Sequence, residues 1–390
     1  MNKKIRIENS RFVTDTGEPF IPKGVNMVCK DSSKSYIGNY SENDLSGLKE
    51  SGCNLIRLGI FWDGAEPEPG IYDENYLNKL EILINMAAKA DIPVFLDMHQ
   101  DLFSVLYADG APKWATLTDN KEHIRTGLWS ESYLISPAVQ HAFDNFWNNS
   151  PAADGIGIRT HYINMWKHIA SKFADNPYVI GYDVMNEPFP GSSGAQIAAI
   201  LGEFEKNGGS ISGGFDEAAL FGLISKIVPV TASFEQEILS PFYDELFSSI
   251  REVDKKTILI FESNYFANAG IPSHIRPAVD PSGNTVSYQA YAPHGYDILV
   301  DTDAYSSDPG NERIDLIFGS ILQKISELAE QGIPSFIGEW GCYPQASPAQ
   351  LKQAEHILKL LDAHAIGNVY YEYGHLSVLK DRGRFSVFSF

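Results

Sequence analysis

The sequence predicts a single-domain α/β protein built as a (β/α)8 (TIM) barrel. Eight short, apolar, strand-like segments recur along the 390 residues, and segments with helical periodicity lie between most of them. Alternating strands and helices are typical of a parallel sheet, and eight such units in a chain of this length favour a closed barrel. The alternative is an open doubly wound sheet, but no G-x-G-x-x-G motif follows the first strand to mark a dinucleotide site.

The individual elements follow from local patterns in chain order. Residues 5–22 combine β-prone segments with turn-forming residues, so we expect a hairpin that plugs the barrel floor. The predicted barrel strands are Phe20–Asn26, Asn54–Ile60, Pro93–Met98, Val179–Met185, Thr257–Glu262, Thr285–Ala290, Pro334–Gly338 and Asn368–Tyr371. The helices predicted between them are 42–50, Asn75–Lys89, Ala138–Trp147, Thr160–Phe173, Ser233–Val253, Leu316–Gln331 and Pro348–His364.

An insertion interrupts this pattern after the fourth strand. Two further helices, Ser192–Phe204 and Glu217–Ile227, flank a glycine-rich joint at residues 208–214, before the regular return helix. We assign residues 191–232 to a helical, lid-like insertion and the whole chain, 1–390, to one barrel domain. The apolar residues of the insertion have two possible roles: they form a wall for an apolar ligand, or they are only the inner faces of two covering helices. These residues are Ile197, Ile200, Leu201, Phe204, Leu220, Leu223 and Ile224.

Composition excludes several functions. The net charge of −20 and the pI near 4.8 disfavour a nucleic-acid partner, since phosphate binding requires a basic face. Three cysteines without a C-x-x-C motif argue against a disulfide framework. The first residues lack the apolar core of a signal peptide, and no run of 18 apolar residues indicates a membrane segment. We therefore expect a cytoplasmic protein, or an extracellular one whose signal was removed.

Two strand ends carry the main functional signal. Asn186 and Glu187 follow the fourth strand directly, and Pro188 then stops further pairing. Glu339 follows the seventh strand in the same manner. Because barrel active sites form at the carboxyl ends of the strands, these carboxylates are expected to meet there. A protonated and an ionised carboxyl group are what glycoside cleavage requires; the alternative is that Asn186 and Glu187 only begin a polar loop.

The residues at the strand ends resemble those of glycoside hydrolase family 5, a family of retaining β-glycosidases with a (β/α)8 barrel. The matching marks are Arg57, His99, the Asn186-Glu187-Pro188 triplet, His294-x-Tyr296 and Glu339. Within the family, the segments LDMHQD (96–101), GAPKWAT (110–116), AFDNFW (142–147) and YDVMNEPF (182–189) resemble endoglycoceramidases and related glycosylceramidases.

The resemblance implies a role for each matched residue. Glu187 would be the acid/base and Glu339 the nucleophile, which Arg57 would hold ionised by charge pairing. Asn186 would bond the sugar 2-hydroxyl, and Tyr296 would donate to the nucleophile. The further candidates for sugar binding or support are Lys30, His99, Asp101, Trp114, Tyr291, His294, Trp340 and Tyr371.

The chain departs from the resembled enzymes at two places. They usually carry a tryptophan at the end of the eighth strand, where this sequence has Tyr371. Many also carry a C-terminal β-sandwich, whereas only 19 residues follow Tyr371 here. We therefore expect no such domain, and even the helix after the eighth strand could be missing.

The favoured function is a retaining β-glycosidase that cleaves a β-glucosyl or β-galactosyl linkage, with a glycolipid or other carbohydrate as its partner and no cofactor or metal. One alternative is a β-glucosidase or endoglucanase that acts on oligosaccharides or other non-lipid glycosides. A second is a metal-dependent hydrolase in which His99, Asp101 and His294 bind zinc. A third is a barrel that binds sugar without turnover.

Overall fold

The computed structural model describes residues 3–209, 217–300, 302, 305, 310–342 and 346–374. The strands are β1 Ile5–Glu8, β2 Arg11–Thr14, β3 Lys23–Met27, β4 Leu55–Ile60, β5 Val94–Met98, β6 Val179–Asp183, β7 Ile258–Phe261, β8 Gln289–Tyr291, β9 Phe336–Trp340 and β10 Gly367–Tyr370. The helices are α1 Glu42–Glu50, α2 Trp62–Ala65, α3 Glu74–Lys89, α4 Ser132–Ile135, α5 Pro137–Trp147, α6 Ile158–Phe173, α7 Ser193–Lys206, α8 Glu217–Phe234, α9 Ser240–Val253, α10 Asn311–Glu330 and α11 Pro348–Ala363.

Eight parallel strands form the barrel, in the order β8-β7-β6-β5-β4-β3-β10-β9. The two ends of this order also meet, because the Tyr291 N–H donates to Pro334 O and the Gly295 N–H donates to Glu339 O, each at 3.0 Å. The predicted (β/α)8 barrel is therefore confirmed. Its closure brings the carboxyl ends of all eight strands to one face.

The hairpin of β1 and β2 lies below the barrel, as the sequence predicts. The two strands pair antiparallel, and their buried Ile5 and Phe12 belong to the apolar cluster that fills the barrel interior. The Phe12 ring meets the Phe336 ring edge-on, with 5.9 Å between centroids. The hairpin thus closes the end of the barrel away from the candidate site.

Two predicted strand boundaries are wrong for a local reason. The first barrel strand begins at Lys23 because Phe20 still pairs with the hairpin, its N–H donating to Phe12 O at 2.9 Å. The sixth begins at Gln289, because Thr285 forms an antiparallel bridge with Val279 before the chain enters the barrel. In both cases a β-prone sequence pairs with a neighbouring loop or hairpin instead of with the barrel.

The predicted break between the insertion and the return helix is also wrong. Helix α8 runs through Pro229 and continues by a π-helical turn, Glu235–Leu239, directly into α9. Pro229 lies on the exposed side of the helix. Residues 210–214 of the glycine-rich joint, and residues 375–390, where a helix after the eighth strand would lie, are outside the described residues.

The continuous stretch Ala218–Val253 is long and apolar enough, by length and composition alone, to cross a membrane. Its most apolar window has a mean hydropathy of 1.4 and is 28% buried. A core helix of a protein outside membranes passes the same test, and α9 packs its Phe242, Leu246 and Ile250 inside the fold. The expected absence of a membrane segment is thus only weakly supported.

Candidate active site

A cavity of about 690 Å³ opens at the carboxyl face of the barrel. Its polar end is formed by residues that follow the barrel strands. Its apolar end is formed by α7 and α8 together with residues of the segment 265–271, of α10 and of nearby loops. Among the predicted site residues, the cavity is lined by Lys30, His99, Asp101, Asn186, Glu187, Tyr296, Glu339 and Tyr371.

Glu187 and Glu339 meet at the polar end. Carboxylate oxygens of the two residues lie within 4.8 Å of each other, and the residues are only 8% and 6% exposed. Glu187 has a left-handed backbone with φ of 49°, whereas Glu339 lies within β9. Retaining glycosidases hold their carboxyl groups about 5–5.5 Å apart and inverting ones about 6.5–9.5 Å, so the spacing fits retention.

One oxygen of Glu187 is fully engaged. Oε1 accepts from Asn268 Nδ2 at 2.7 Å and from His294 Nδ1 at 2.8 Å. Burial alone would lower the pKa of His294, but the charges of Glu262 and Glu339 outweigh this effect and raise the pKa to well above its ordinary value. The ring is therefore a charged donor. Since two donors occupy Oε1, Oε2 is the oxygen free to carry a transferable proton.

Glu339 is held by donors on both oxygens. Tyr296 donates its hydroxyl to Oε1 at 2.8 Å, and Arg57 Nη1 lies 3.3 Å from Oε2. Burial and the nearby Glu187 raise the pKa of Glu339 to about 7, although His294 and Arg57 act to lower it. Arg57 thus acts on the pKa of Glu339 in the predicted direction, although burial has the larger effect.

Arg57 is fully buried beneath the site and is shared among several acids. Its Nε donates to Asp183 at 2.8 Å, and Nη2 donates to Asp97 and Glu262, each at 2.9 Å. Nη2 also donates to Asn186 Oδ1 at 2.9 Å, which orients that amide. With the Glu339 contact, one guanidinium is shared by four carboxyl groups. The sequence analysis missed three of them, although an acid within or directly after an apolar strand was a usable signal.

Lys30, Asp101 and Tyr371 form one wall of the polar end. Lys30 pairs with Asp101 and lies 3.7 Å from Asp109 Oδ2. Burial lowers the pKa of Lys30, but these two acids raise it to well above its ordinary value. The ammonium also lies 5.8 Å from the centre of the Tyr371 ring. This wall presents charged and aromatic groups, as a sugar pocket requires.

His99 has a defined tautomer. Its Nδ1 lies 2.9 Å from Asp97 Oδ2, while burial and the Lys30 charge hold its pKa well below the ordinary value. The neutral ring therefore carries its proton on Nδ1. Nε2 has no hydrogen-bond partner within the described part of the chain, so it can accept a hydrogen bond from a sugar hydroxyl.

Besides Arg57 and His294, which contact the carboxylates from beneath, three predicted site residues lie outside the cavity wall. The Trp114 indole N–H donates to Glu66 O at 3.0 Å, and the ring packs against Trp62. Tyr291 is buried, with its hydroxyl 2.7 Å from Ser263 Oγ, and the buried Trp340 donates to Asn368 at 2.9 Å. Trp114 therefore does not line a sugar pocket, contrary to the prediction, and the other two support the barrel from behind.

The predicted zinc ligands are not brought together. Among the described residues, the clusters with possible ligand atoms within 4.8 Å of one another are His99–Asp101–Asp109 and Glu187–His294–Glu339. His294 thus lies with the carboxylate pair and not with His99 and Asp101. In the first cluster, Lys30 already supplies the positive charge that balances the acids.

The comparison with protein families agrees with this geometry. The model of the cellulase family, described as glycosyl hydrolase family 5, matches residues 13–377. The chain belongs to glycosyl hydrolase family 5. The resemblance inferred from the strand-end residues is thereby confirmed.

The curated relatives and the similar solved structures agree with this family assignment. The chain is 29% identical to an endoglycoceramidase of Cyanea nozakii over 73% of its length and 56% of the relative's. It is 26% identical to endoglycoceramidase I of Rhodococcus hoagii over 95% of its own length and 68% of the relative's. The structure of endo-glycoceramidase II from Rhodococcus sp. with a cellobiose-like imidazole superposes with a TM-score of 0.73 at 27% identity, covering 92% of this chain and 74% of that one. The chain thus spans little more than half of the first relative.

Proposed function

We propose that this protein is a retaining β-glycosidase that hydrolyses the β-glucosyl or β-galactosyl linkage of a glycolipid. The observation that carries the proposal is one cavity with two close carboxylates at its polar end and an apolar wall at the other. The names of the similar proteins support it, since they include endoglycoceramidases and an endo-glycoceramidase II in complex with ganglioside GM3.

The first step forms a glycosyl–enzyme ester. Ionised Glu339 attacks the anomeric carbon while Glu187 transfers the proton on Oε2 to the glycosidic oxygen, so the glycosidic bond breaks and the aglycone leaves as an alcohol. The Asn186 amide is fixed by Arg57 at 2.9 Å and donates to Gln100 O at 3.2 Å. Its second N–H is left for the sugar 2-hydroxyl.

The second step releases the sugar. Glu187, now ionised, takes a proton from water, and the water oxygen attacks the anomeric carbon as the bond to Glu339 breaks. Two inversions at the same carbon leave the β-configuration unchanged. The enzyme returns with its proton on Glu187, and no cofactor enters the proton balance.

The apolar end of the cavity fits an aglycone with hydrocarbon chains. Five of the seven residues predicted for this wall line the cavity, namely Ile197, Leu201, Leu220, Leu223 and Ile224. Ile200 and Phe204 instead pack against the same helices nearby. We assign the described parts of the insertion, residues 191–209 and 217–232, to this aglycone wall.

Product analysis tests the proposal. We expect glucosylceramide or a ganglioside to release ceramide and a sugar whose first-formed anomer is β, faster than cellobiose is cleaved. Steryl and aryl glucosides complete the panel. Faster cleavage of cellobiose than of any glycolipid would favour the oligosaccharide alternative, and sugar binding without turnover would favour a non-catalytic barrel.

A charge placed in the apolar wall separates lipid recognition from chemistry. We expect Ile224→Asp to raise KM for a glycosylceramide by about 10-fold or more, since an unpaired charge beside hydrocarbon is costly. Hydrolysis of a short aryl glycoside should change by less than about 2-fold, because such a substrate contacts mainly the polar end. Steady-state kinetics with both substrates measures the difference.

Ser225→Asp is the matched control, because Ser225 is the next residue on α8 and is exposed. It adds the same charge to the outer side of the helix, and it should change the hydrolysis of neither substrate. Equal losses on both substrates in Ile224→Asp would contradict the assignment of this wall to the aglycone.

A further inference from the structure

The π-helical turn between α8 and α9 buries a carboxylate behind the site. Glu235, the first residue of this turn, is completely buried. Single π-turns within α-helices are rare and occur often at functional sites. A carboxylate buried in this way must be satisfied by hydrogen bonds, so its donors show what it holds in place.

Within the described part of the chain, the donors to Glu235 come from the loop that follows β7. Oε1 accepts from the Asn264 N–H at 2.9 Å and from Asn264 Nδ2 at 2.7 Å. The Ser273 hydroxyl lies 3.0 and 3.1 Å from Oε1 and Oε2, and the His274 N–H also donates to Oε2. One side chain therefore fixes both ends of the segment 264–274.

The segment held by Glu235 reaches both catalytic carboxylates. Asn264 begins the 3₁₀ helix Tyr265–Ala269, where it accepts from the Phe266 N–H. This helix presents Asn268, whose Nδ2 donates to Glu187 Oε1 at 2.7 Å. The Asn268 carbonyl accepts from the N–H of Tyr296 at 3.0 Å, the residue whose hydroxyl donates to Glu339.

We propose that Glu235 is a positioning residue that acts through Asn268 to aim the acid/base Glu187 at the leaving oxygen. The inference rests on the proposed glycosidase function and deepens it. With Asn268 fixed, Oε1 of Glu187 stays engaged and Oε2 stays directed to the cavity. Helix α8 also lines the apolar end, so the same helical stretch shapes the aglycone wall and supports the group that protonates the aglycone oxygen.

Leaving-group dependence tests this role. A dinitrophenolate leaves without protonation, whereas an alkoxide requires the acid. We expect Glu235→Ala to lower kcat/KM for an alkyl β-glycoside by about 10²-fold, the lower end of what general acid catalysis contributes. The 2,4-dinitrophenyl glycoside of the same sugar should lose less than about 3-fold, because its cleavage does not use that contribution. Asn268→Ala should show the same pattern.

The controls separate positioning from folding. Glu237→Ala changes an exposed glutamate of the same π-turn and should leave kcat/KM for both substrates unchanged. A merely structural defect in Glu235→Ala would reduce both substrates equally, and that result overturns the proposal. If Glu235→Ala does not fold, Asn268→Ala tests the proposal by the same comparison, the loss of kcat/KM for the alkyl glycoside relative to that for the dinitrophenyl glycoside.

A crystal structure of Glu235→Ala gives a second readout that does not depend on turnover. We expect Asn268 Nδ2 to move out of hydrogen-bond distance from Glu187 Oε1. An unchanged contact overturns the positioning role even if the wild type cleaves both glycosides. Cleavage of neither glycoside by the wild type would instead refute the proposed function and leave this structural result to decide the positioning.

Discussion

Glu339→Gln is expected to lower kcat/KM for aryl β-glycosides by about 10⁴–10⁶-fold, the range that follows loss of a covalent nucleophile. The amide is nearly the same size and can still accept from Tyr296, but it cannot form the glycosyl ester. Folding should be unaffected, since Glu339 contributes its backbone and not its side chain to the barrel sheet. Initial rates with a chromogenic glycoside measure the loss.

Azide rescue identifies the role of the missing group. In Glu339→Gly, azide can attack from the face that the carboxylate occupied and should yield an α-glycosyl azide. Glu330→Gln, an exposed change at the end of α10, is the control and should keep full activity. Wild-type rates in Glu339→Gln, or a β-glycosyl azide from the glycine variant, would show that Glu339 is not the nucleophile.

Arg57→Met is expected to destabilise the fold by about 3–5 kcal/mol or more, because removal of one partner strands buried charges. The guanidinium contacts four carboxylates, and methionine offers them no donor. Chemical denaturation with the free energy of unfolding extrapolated to water measures the change.

The loss should depend on pH in a defined direction. Burial raises the pKa of Asp97 to about 6 and that of Glu262 to about 7, even with Arg57 present. A carboxyl whose folded-state pKa is raised favours folding while it is protonated and loses this contribution as the pH rises through that value. Without Arg57 the acids become harder to ionise, so the destabilisation should be larger at pH 8 than at pH 5.

Arg276→Met provides the comparison for Arg57. Arg276 pairs with Asp244 at a partly exposed site, and such pairs contribute about 1 kcal/mol or less. If Arg57→Met is as stable as this control at pH 8, the buried guanidinium does not hold the four acids together.

The sequence predicts the barrel and the meeting of Glu187 with Glu339 because both depend on strong local signals. Asn186, Glu187 and Glu339 directly follow or end apolar strands, and barrel topology alone brings such positions to one face. The same logic would have found Glu262, which follows β7 directly.

Other features depend on contacts that no local pattern encodes. Asn268 reaches Glu187 from within a loop, and only the fold of that loop decides the contact. Trp114 faces away from the cavity because its indole N–H finds an acceptor in the Glu66 carbonyl. Pro229 lies in the predicted gap between two helices, yet the chain stays helical through it and into α9.

The left-handed backbone at Glu187 has a thermodynamic consequence. A residue with a Cβ pays about 1–3 kcal/mol in such a conformation, whereas glycine adopts it freely. Thermal robustness alone would therefore prefer glycine at this position, and a glutamate there weakens the fold it belongs to. The fold is therefore less stable than it would be with glycine at position 187, and in exchange this position carries a carboxyl group beside Glu339.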